Sequence, residues 1–194
     1  MARLPLLASW RRDFIMCAHA TAIGPCEDTA NWSVLVKWFL RKVGLTSPAF
    51  WCMASVATDA ERAFGARSPL LMTGSCEEQR QRAIKLGAHR TREQFEEARA
   101  ADPMSVAGWV GLCIGPDEAG KPHAHHTWLV GAMDDARDII VTGPRGGVLT
   151  IEGNAADPKK PSSRNGDGKY EGRERCHADD KGTYEFIDPA GYPL

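Results

Sequence analysis

Phe50-Trp51-Cys52-Met53-Ala54 follows directly on the break Thr46-Ser47-Pro48, and from Phe50 to Phe64 the residues resume a helical pattern. Cys52 therefore falls in or beside the first turn of a helix. Amides at a helix N-terminus present unpaired N–H groups and a partial positive charge, which stabilise a thiolate and lower its pKa. The competing reading is a packed structural thiol beside Trp51 and Met53. What decides between them is whether the rest of the chain brings a base to the sulfur.

On the N-terminal side, residues 10 to 23 carry a mixed apolar pattern compatible with a helix, ended by Gly24-Pro25. After a polar loop, Asn31-Trp32-Ser33 opens a second helix in which Trp32, Leu35, Val36, Phe39, Leu40 and Val43 recur at helical spacing, with Gly44 as the stop. On the C-terminal side, Gly65 to Gly74 is a break, and Ser75 caps a helix with Glu77 and Glu78 in its first turn, reaching Leu86. Glu93 to Ala101 reads as an exposed, charged turn of helix. From Ser105 the texture changes to short apolar runs separated by Gly, Pro and Asp: Val106 to Ile114, Thr127 to Met133, Asp138 to Thr142 and Val148 to Glu152. These read as strands of an antiparallel sheet. Ala155 to Asp180, rich in Pro, Lys, Asn, Gly and Asp, reads as a long loop or tail, and Tyr184 to Pro189 as a last edge strand. The expected class is α+β, with N-terminal helices packed on an antiparallel sheet.

The sheet supplies what the thiol needs. His125-His126-Thr127-Trp128-Leu129-Val130 starts one strand at histidine, and Thr150-Ile151-Glu152-Gly153-Asn154 ends another at a carboxylate and an amide. A cysteine hydrolase requires a nucleophile, an imidazole that takes and returns its proton, and a polar group that fixes the imidazole tautomer. Strand alternation would point Glu152 and Asn154 to one face, within reach of one imidazole. The bland alternative is a Gly-Asn turn at a strand end. Pro122-His123-Ala124-His125-His126 offers three candidate bases. His126 is favoured because it abuts the strand, with His125 second. Trp51 and Trp128 are read either as core or as walls of a groove.

Asn31 to Leu45 followed by Phe50-Trp51-Cys52, then Thr73-Gly74-Ser75-Cys76, His126 to Val130, Thr150 to Asn154, and finally Arg164-Asn165-Gly166-Asp167-Gly168 with Arg173 to Arg175, form an ordered set of motifs. In that order, from about Ile23 to Pro189, the chain resembles the CHAP-type amidohydrolases/peptidases of the papain-like superfamily, found in bacteriophage endolysins and bacterial cell-wall hydrolases. The resemblance implies a papain-like (CHAP) fold, and cleavage of an amide bond in peptidoglycan, as an N-acetylmuramoyl-L-alanine amidase or an endopeptidase, through an acyl-enzyme. It implies Cys52 as nucleophile, His126 as general base and acid, and Glu152 and Asn154 as partners of the imidazole, with no cofactor. Trp128 departs from the family pattern, which has a small residue two places after the histidine. The implied organisation is a helical segment at 1–22 and a single catalytic domain at 23–190 with a loop at about 155–180, without a separate wall-binding domain.

Bulk properties narrow the alternatives. At 194 residues with 43% hydrophobic content, the chain can bury one good core. Its 24 basic and 25 acidic residues are thoroughly mixed, which disfavours nucleic acid and membrane surfaces as partners. The expected partner is peptidoglycan, and the expected state a monomer. Cys17, Cys26, Cys52, Cys76, Cys113 and Cys176 lack CxxC spacing, so most are read as reduced and buried. His123, His125 and His126 with Cys113 or the Cys176-His177 pair form a candidate zinc module, although no CxxC or HxxxH supports it. The other alternative is a non-catalytic virion or tail component with a packed cysteine. Ser9 to Ile15 only faintly follows a twin-arginine signal, and the short run after it contains His19. The expectation is a soluble protein made in the cytoplasm without a clear signal peptide and acting on the cell wall.

Overall fold

A computed structural model describes residues 9–25, 33–155, 168–175 and 183–192. Among these, the elements in chain order are α1 (Trp10–His19), β1 (Gly24–Pro25), α2 (Val34–Lys42), α3 (Cys52–Phe64), α4 (Cys76–Leu86), β2 (His89–Thr91), α5 (Arg92–Ala101), β3 (Val110–Pro116), β4 (Pro122–Val130), β5 (Ala132–Met133), β6 (Ile139–Ile140), β7 (Val148–Ala155), β8 (Gly168–Arg175) and β9 (Thr183–Ile187). Helices come first and an antiparallel sheet follows, so the class is α+β. No described helix is long and apolar enough to cross a membrane.

Helix α3 is the axis of the molecule. Every residue from Cys52 to Ala60 is buried, a pattern expected of a helix enclosed on all sides. Phe14, Ile15 and Ala18 of α1 share one core with Cys52, Met53, Val56, Ala57 and Ala60 of α3 and with Val110, Leu112, Leu129 and Ile151 of the sheet. On another side, Trp51 and Ala54 pack with Val36, Phe39 and Leu40 of α2. The indole of Trp51 stacks on Phe39 with ring centroids 5.6 Å apart. Ser33 caps α2 by accepting from the Val36 amide, and α3 stops at Gly65, whose φ of +60° suits glycine.

The sheet has the order β1-β8-β7-β4-β3-β9-β2, with every described pair antiparallel. Two close approaches shape it. Gly111 on β3 lies opposite Trp128 on β4, and a Cβ there would stand 2.2 Å from the indole, so the missing side chain is what admits the ring. Gly153 on β7 lets the sheet meet α3, since a Cβ would stand 2.4 Å from Ser55 Oγ and 2.8 Å from Trp51 Cζ3. A buried cluster closes the far side: Lys169 on β8 pairs with Asp59 on α3 and donates to Thr21 Oγ1 at 2.6 Å, while Thr21 donates to Asp59 at 3.2 Å. Burial pushes the Asp59 carboxyl up, and Lys169 opposes that shift.

Several sequence expectations are corrected. β9 is not an edge strand, because β2 pairs with it on the side away from β3. The histidine-rich turn is itself strand, so His126 lies within β4 rather than at its start. Between Asp138 and Thr142 only Ile139–Ile140 forms strand, paired with β5 apart from the main sheet. The expected loop at 155–180 contains β8, which pairs with β7 in the main sheet; residues 156–167 and 176–180, with Arg164, Cys176 and His177, lie outside the described residues, as do 1–8, Cys26, Asn31 and Trp32. The N-terminal helical segment, as α1, packs into the common core. α5 is anchored by buried Phe95, whose ring stacks on Phe186, so it is not merely a solvated turn.

Gly153→Ala is expected to overpack the contact between β7 and α3 and lower stability by about 1–3 kcal/mol. Chemical denaturation checks this; a midpoint equal to wild type would mean that β7 and α3 are not in close contact.

Candidate active site

Cys52 is the first residue of α3, and Trp51 at the N-cap makes no side-chain capping bond to the first-turn amides. Beside it stand the ends of two other elements. His126 on β4 acts electrostatically on Cys52, and its Nε2 lies 3.3 Å from Oε2 of Glu152 on the neighbouring strand β7. The imidazole thus acts on both thiol and carboxylate, with Nε2 turned to Glu152.

A bulge selects this histidine. Cys113 of β3 pairs with His126 and Ile114 with Ala124, so His125 is the extra residue of β4, exposed, with its ring over Gly115. His126 is carried to Cys52 with 21% of its side chain accessible. His123 and His125 are both exposed, and no group of three or more His, Cys, Asp or Glu among the described residues is placed to hold a metal ion.

Glu152 is fully buried, yet all its oxygens are engaged. Oε1 accepts from Thr150 Oγ1 at 2.7 Å and Arg175 Nε at 2.7 Å, and Oε2 accepts from Arg175 Nη2 at 2.8 Å, with Arg173 Nη1 at 3.8 Å. The fork of Arg175 on β8 matches the carboxylate bidentately. Its guanidinium lies 4.0 Å from the Trp128 ring centroid, and Tyr184 meets Trp128 edge-on at 5.1 Å. Trp128 is therefore core and the support of Arg175, not a groove wall; Trp51, fully buried on Phe39, is core as well. At Gly172, φ +74°, β8 carries an unpaired residue between the partners of Thr150 and Ile151, upstream of Arg173 and Arg175.

Electrostatics follow from these contacts. Burial raises the Glu152 carboxyl, but Arg175 and His126 outweigh it and hold the group well below the usual carboxylate range. Burial lowers His126, and Cys52 and Glu152 together overcome this and push it up to about 9. The Cys52 thiol is held well below its usual range, first by the hydrogen bond from Cys76, then by His126 and the Thr127 amide, against burial. Cys76, whose Sγ lies 3.7 Å from Cys52 Sγ, is raised by that hydrogen bond and by burial. These shifts all favour a thiolate–imidazolium pair backed by a carboxylate.

Three of the four residues singled out from the sequence meet: Cys52, His126 and Glu152. Asn154 does not join them. It occupies a second bulge, unpaired between Gly153 and Ala155 at φ +54°, so strand alternation breaks just where it would have aligned Asn154 with Glu152. Its described contacts include no bond to His126. Thr150, Cys76 and Arg175 entered the sequence reading only as parts of motifs and were not picked out for the site. The signals were present in Arg173-Glu174-Arg175, two cations on one strand face, and in Ser75-Cys76, a second cysteine opening a helix.

Comparison with protein-family models, with curated proteins and with solved structures finds no match to this chain.

Arg175→Met is expected to leave the buried Glu152 charge without its main partner and to cost about 3–5 kcal/mol. A thermal or denaturant unfolding curve equal to wild type would remove Arg175 as the carboxylate's support.

Proposed function

We propose that the protein is a cysteine-dependent amide hydrolase of the CHAP type, with a papain-like fold, acting on an amide bond of peptidoglycan. The observation that carries this reading is the grouping of Cys52, His126 and Glu152, in which a thiol at a helix N-terminus is coupled to an imidazole whose Nε2 faces a buried carboxylate. The helices-then-sheet order and the motif series around these residues support the family and the substrate class.

The chemistry follows from the roles. The Cys52 thiolate attacks the amide carbonyl, and the uncapped first-turn amides of α3 stabilise the developing oxyanion. The His126 imidazolium gives its proton to the leaving amine, which breaks the C–N bond and leaves a thioester at Cys52. Neutral His126 then takes a proton from water, whose oxygen attacks the thioester and releases the acid. Glu152 orients the imidazole and favours its charged form, while Arg175 and Thr150 keep Glu152 ionised. None of these steps calls for a cofactor.

A second reading, a non-catalytic protein of the same fold, is favoured by one observation, the 2% exposure of Cys52. Turbidity clearing of purified bacterial cell walls by wild type and Cys52→Ala, both in chelator, separates the two. Clearing by wild type that disappears in the variant supports hydrolysis, whereas equal clearing by both removes Cys52 as nucleophile, and no clearing by either across walls of differing cross-link chemistry favours the second reading.

The pH dependence has a defined sign. The active ion pair persists while His126 keeps its proton, so the clearing rate is expected to fall as pH rises through about 9. Glu152→Gln removes a group that raises His126 and is expected to move this alkaline limb to lower pH; a limb that stays in place would disconnect Glu152 from the imidazole.

A further inference from the structure

Hydrolysis leaves one group beside the nucleophile unused. Cys76 Sγ lies 3.7 Å from Cys52 Sγ, and both cysteines are free. Each is the first residue of a helix, Cys52 of α3 and Cys76 of α4. Their positions are held from several sides. Ser75 caps α4 by accepting from the Glu78 amide at 3.1 Å, Glu77 accepts from the Ala124 amide of β4 at 2.7 Å, and Gln79 donates to Tyr192 at 2.7 Å. Cys76 is thus locked against the same strand that carries His126. A disulfide needs sulfurs about 2.05 Å apart, and side-chain torsions at two helix starts are the freedom available to close that gap.

We propose that Cys52 and Cys76 form a reversible oxidation site for small hydroperoxides, in which Cys76 captures oxidised Cys52 as a disulfide and so switches the nucleophile off. The disulfide rests on the sulfur geometry alone; the switching clause rests on the reading of Cys52 as nucleophile. In the first step the Cys52 thiolate attacks the terminal oxygen of the hydroperoxide and the O–O bond breaks. The sulfur loses two electrons to the peroxide, giving Cys52 sulfenic acid and, after protonation, an alcohol or water. In the second step the Cys76 sulfur attacks the Cys52 sulfur, the S–S bond forms and the S–OH bond breaks, and hydroxide leaves as water with the Cys76 proton. The net change is two thiols and one hydroperoxide to one disulfide, one alcohol or water, and one water. An external dithiol reverses it.

Burial selects the oxidant. Cys52 is 2% and Cys76 6% exposed, which admits hydrogen peroxide far more readily than a bulky oxidised disulfide. The hydrogen bond from Cys76, and after it His126, hold the Cys52 thiol well below its usual range, toward the reactive thiolate. Cys76 also protects the nucleophile, since a sulfenic acid captured as a disulfide does not proceed to the irreversible sulfinic acid.

The test treats the full chain with hydrogen peroxide, alkylates the remaining thiols, and maps peptides without reductant. The expected result is a Cys52–Cys76 cross-linked peptide, loss of both residues from the alkylated pool, and return of both with dithiothreitol. In Cys76→Ser, dimedone is expected to trap Cys52 sulfenic acid, and prolonged peroxide to abolish recovery of the Cys52 thiol. Cys76→Ala, checked for wild-type circular dichroism, covers misfolding of the serine variant. Cys113→Ser, altering the cysteine opposite His126 on β3, is expected to keep the cross-link. Cys52 joined to another cysteine, or equal dimedone labelling of wild type and folded Cys76 variants, overturns the proposal. Cell-wall clearing is read on the same samples. A cross-link in a protein whose reduced form clears no wall strikes the hydrolase reading and leaves the disulfide standing, whereas clearing that survives full cross-linking overturns the switch.

Discussion

Helix α3 has no solvent-facing side along its first nine residues, and most of the structure answers to that constraint. A helix enclosed by α1, α2 and the sheet needs small residues where the layers come closest, and Ala54, Ser55, Ala57 and Ala60 provide them. The sheet reciprocates with Gly153 at the contact. Enclosure also places Asp59 in the interior, where a lone carboxylate would cost several kcal/mol, and Lys169 and Thr21 offset that penalty. The N-terminus of α3, with Cys52 at its head, is thereby immobilised against β4 and β7.

The same logic of enclosed charge governs the site. Glu152 is buried and ionised only because Arg175 grips both oxygens and Thr150 adds a third bond. Arg175 in turn is supported by the face of Trp128, which itself fits because Gly111 lacks a side chain. The chain of dependence runs from a missing Cβ on β3, through an indole and a guanidinium, to the carboxylate that holds the imidazole. Trp128 is thus accommodated within the core and supports Arg175, and through it Glu152, from behind.

Much of this was readable in the linear chain. The break at Ser47-Pro48 before Phe50 located the start of α3, and the Ser75 and Gly87 signals bounded α4, because capping is local chemistry between residues three or four apart. The strands around His126 and Glu152 were legible from apolar runs. The strand β8 was not legible from its pattern, because its polar residues Lys169, Arg173 and Arg175 face buried acids rather than a hydrophobic core, and only the motif resemblance pointed to a strand at Arg173 to Arg175. β9 was misread as an edge for a similar reason: its covering partner, His89–Thr91, is three polar residues held by pairing rather than by apolar periodicity.

The sequence by itself determined the residue types and their order: a cysteine at a helix start, then a histidine strand, then a carboxylate strand, with local caps and stops in place. Tertiary structure decided which of these meet. A bulge at His125 chose His126 over its neighbour, and a bulge at Asn154 took the amide out of line with Glu152. Packing of α4 against β4 brought Cys76 to Cys52, and pairing of β8 with β7 brought Arg175 to Glu152. Bulges and cross-strand pairs join residues distant in the chain, and their energies come from hydrogen bonds and burial that no window of sequence contains.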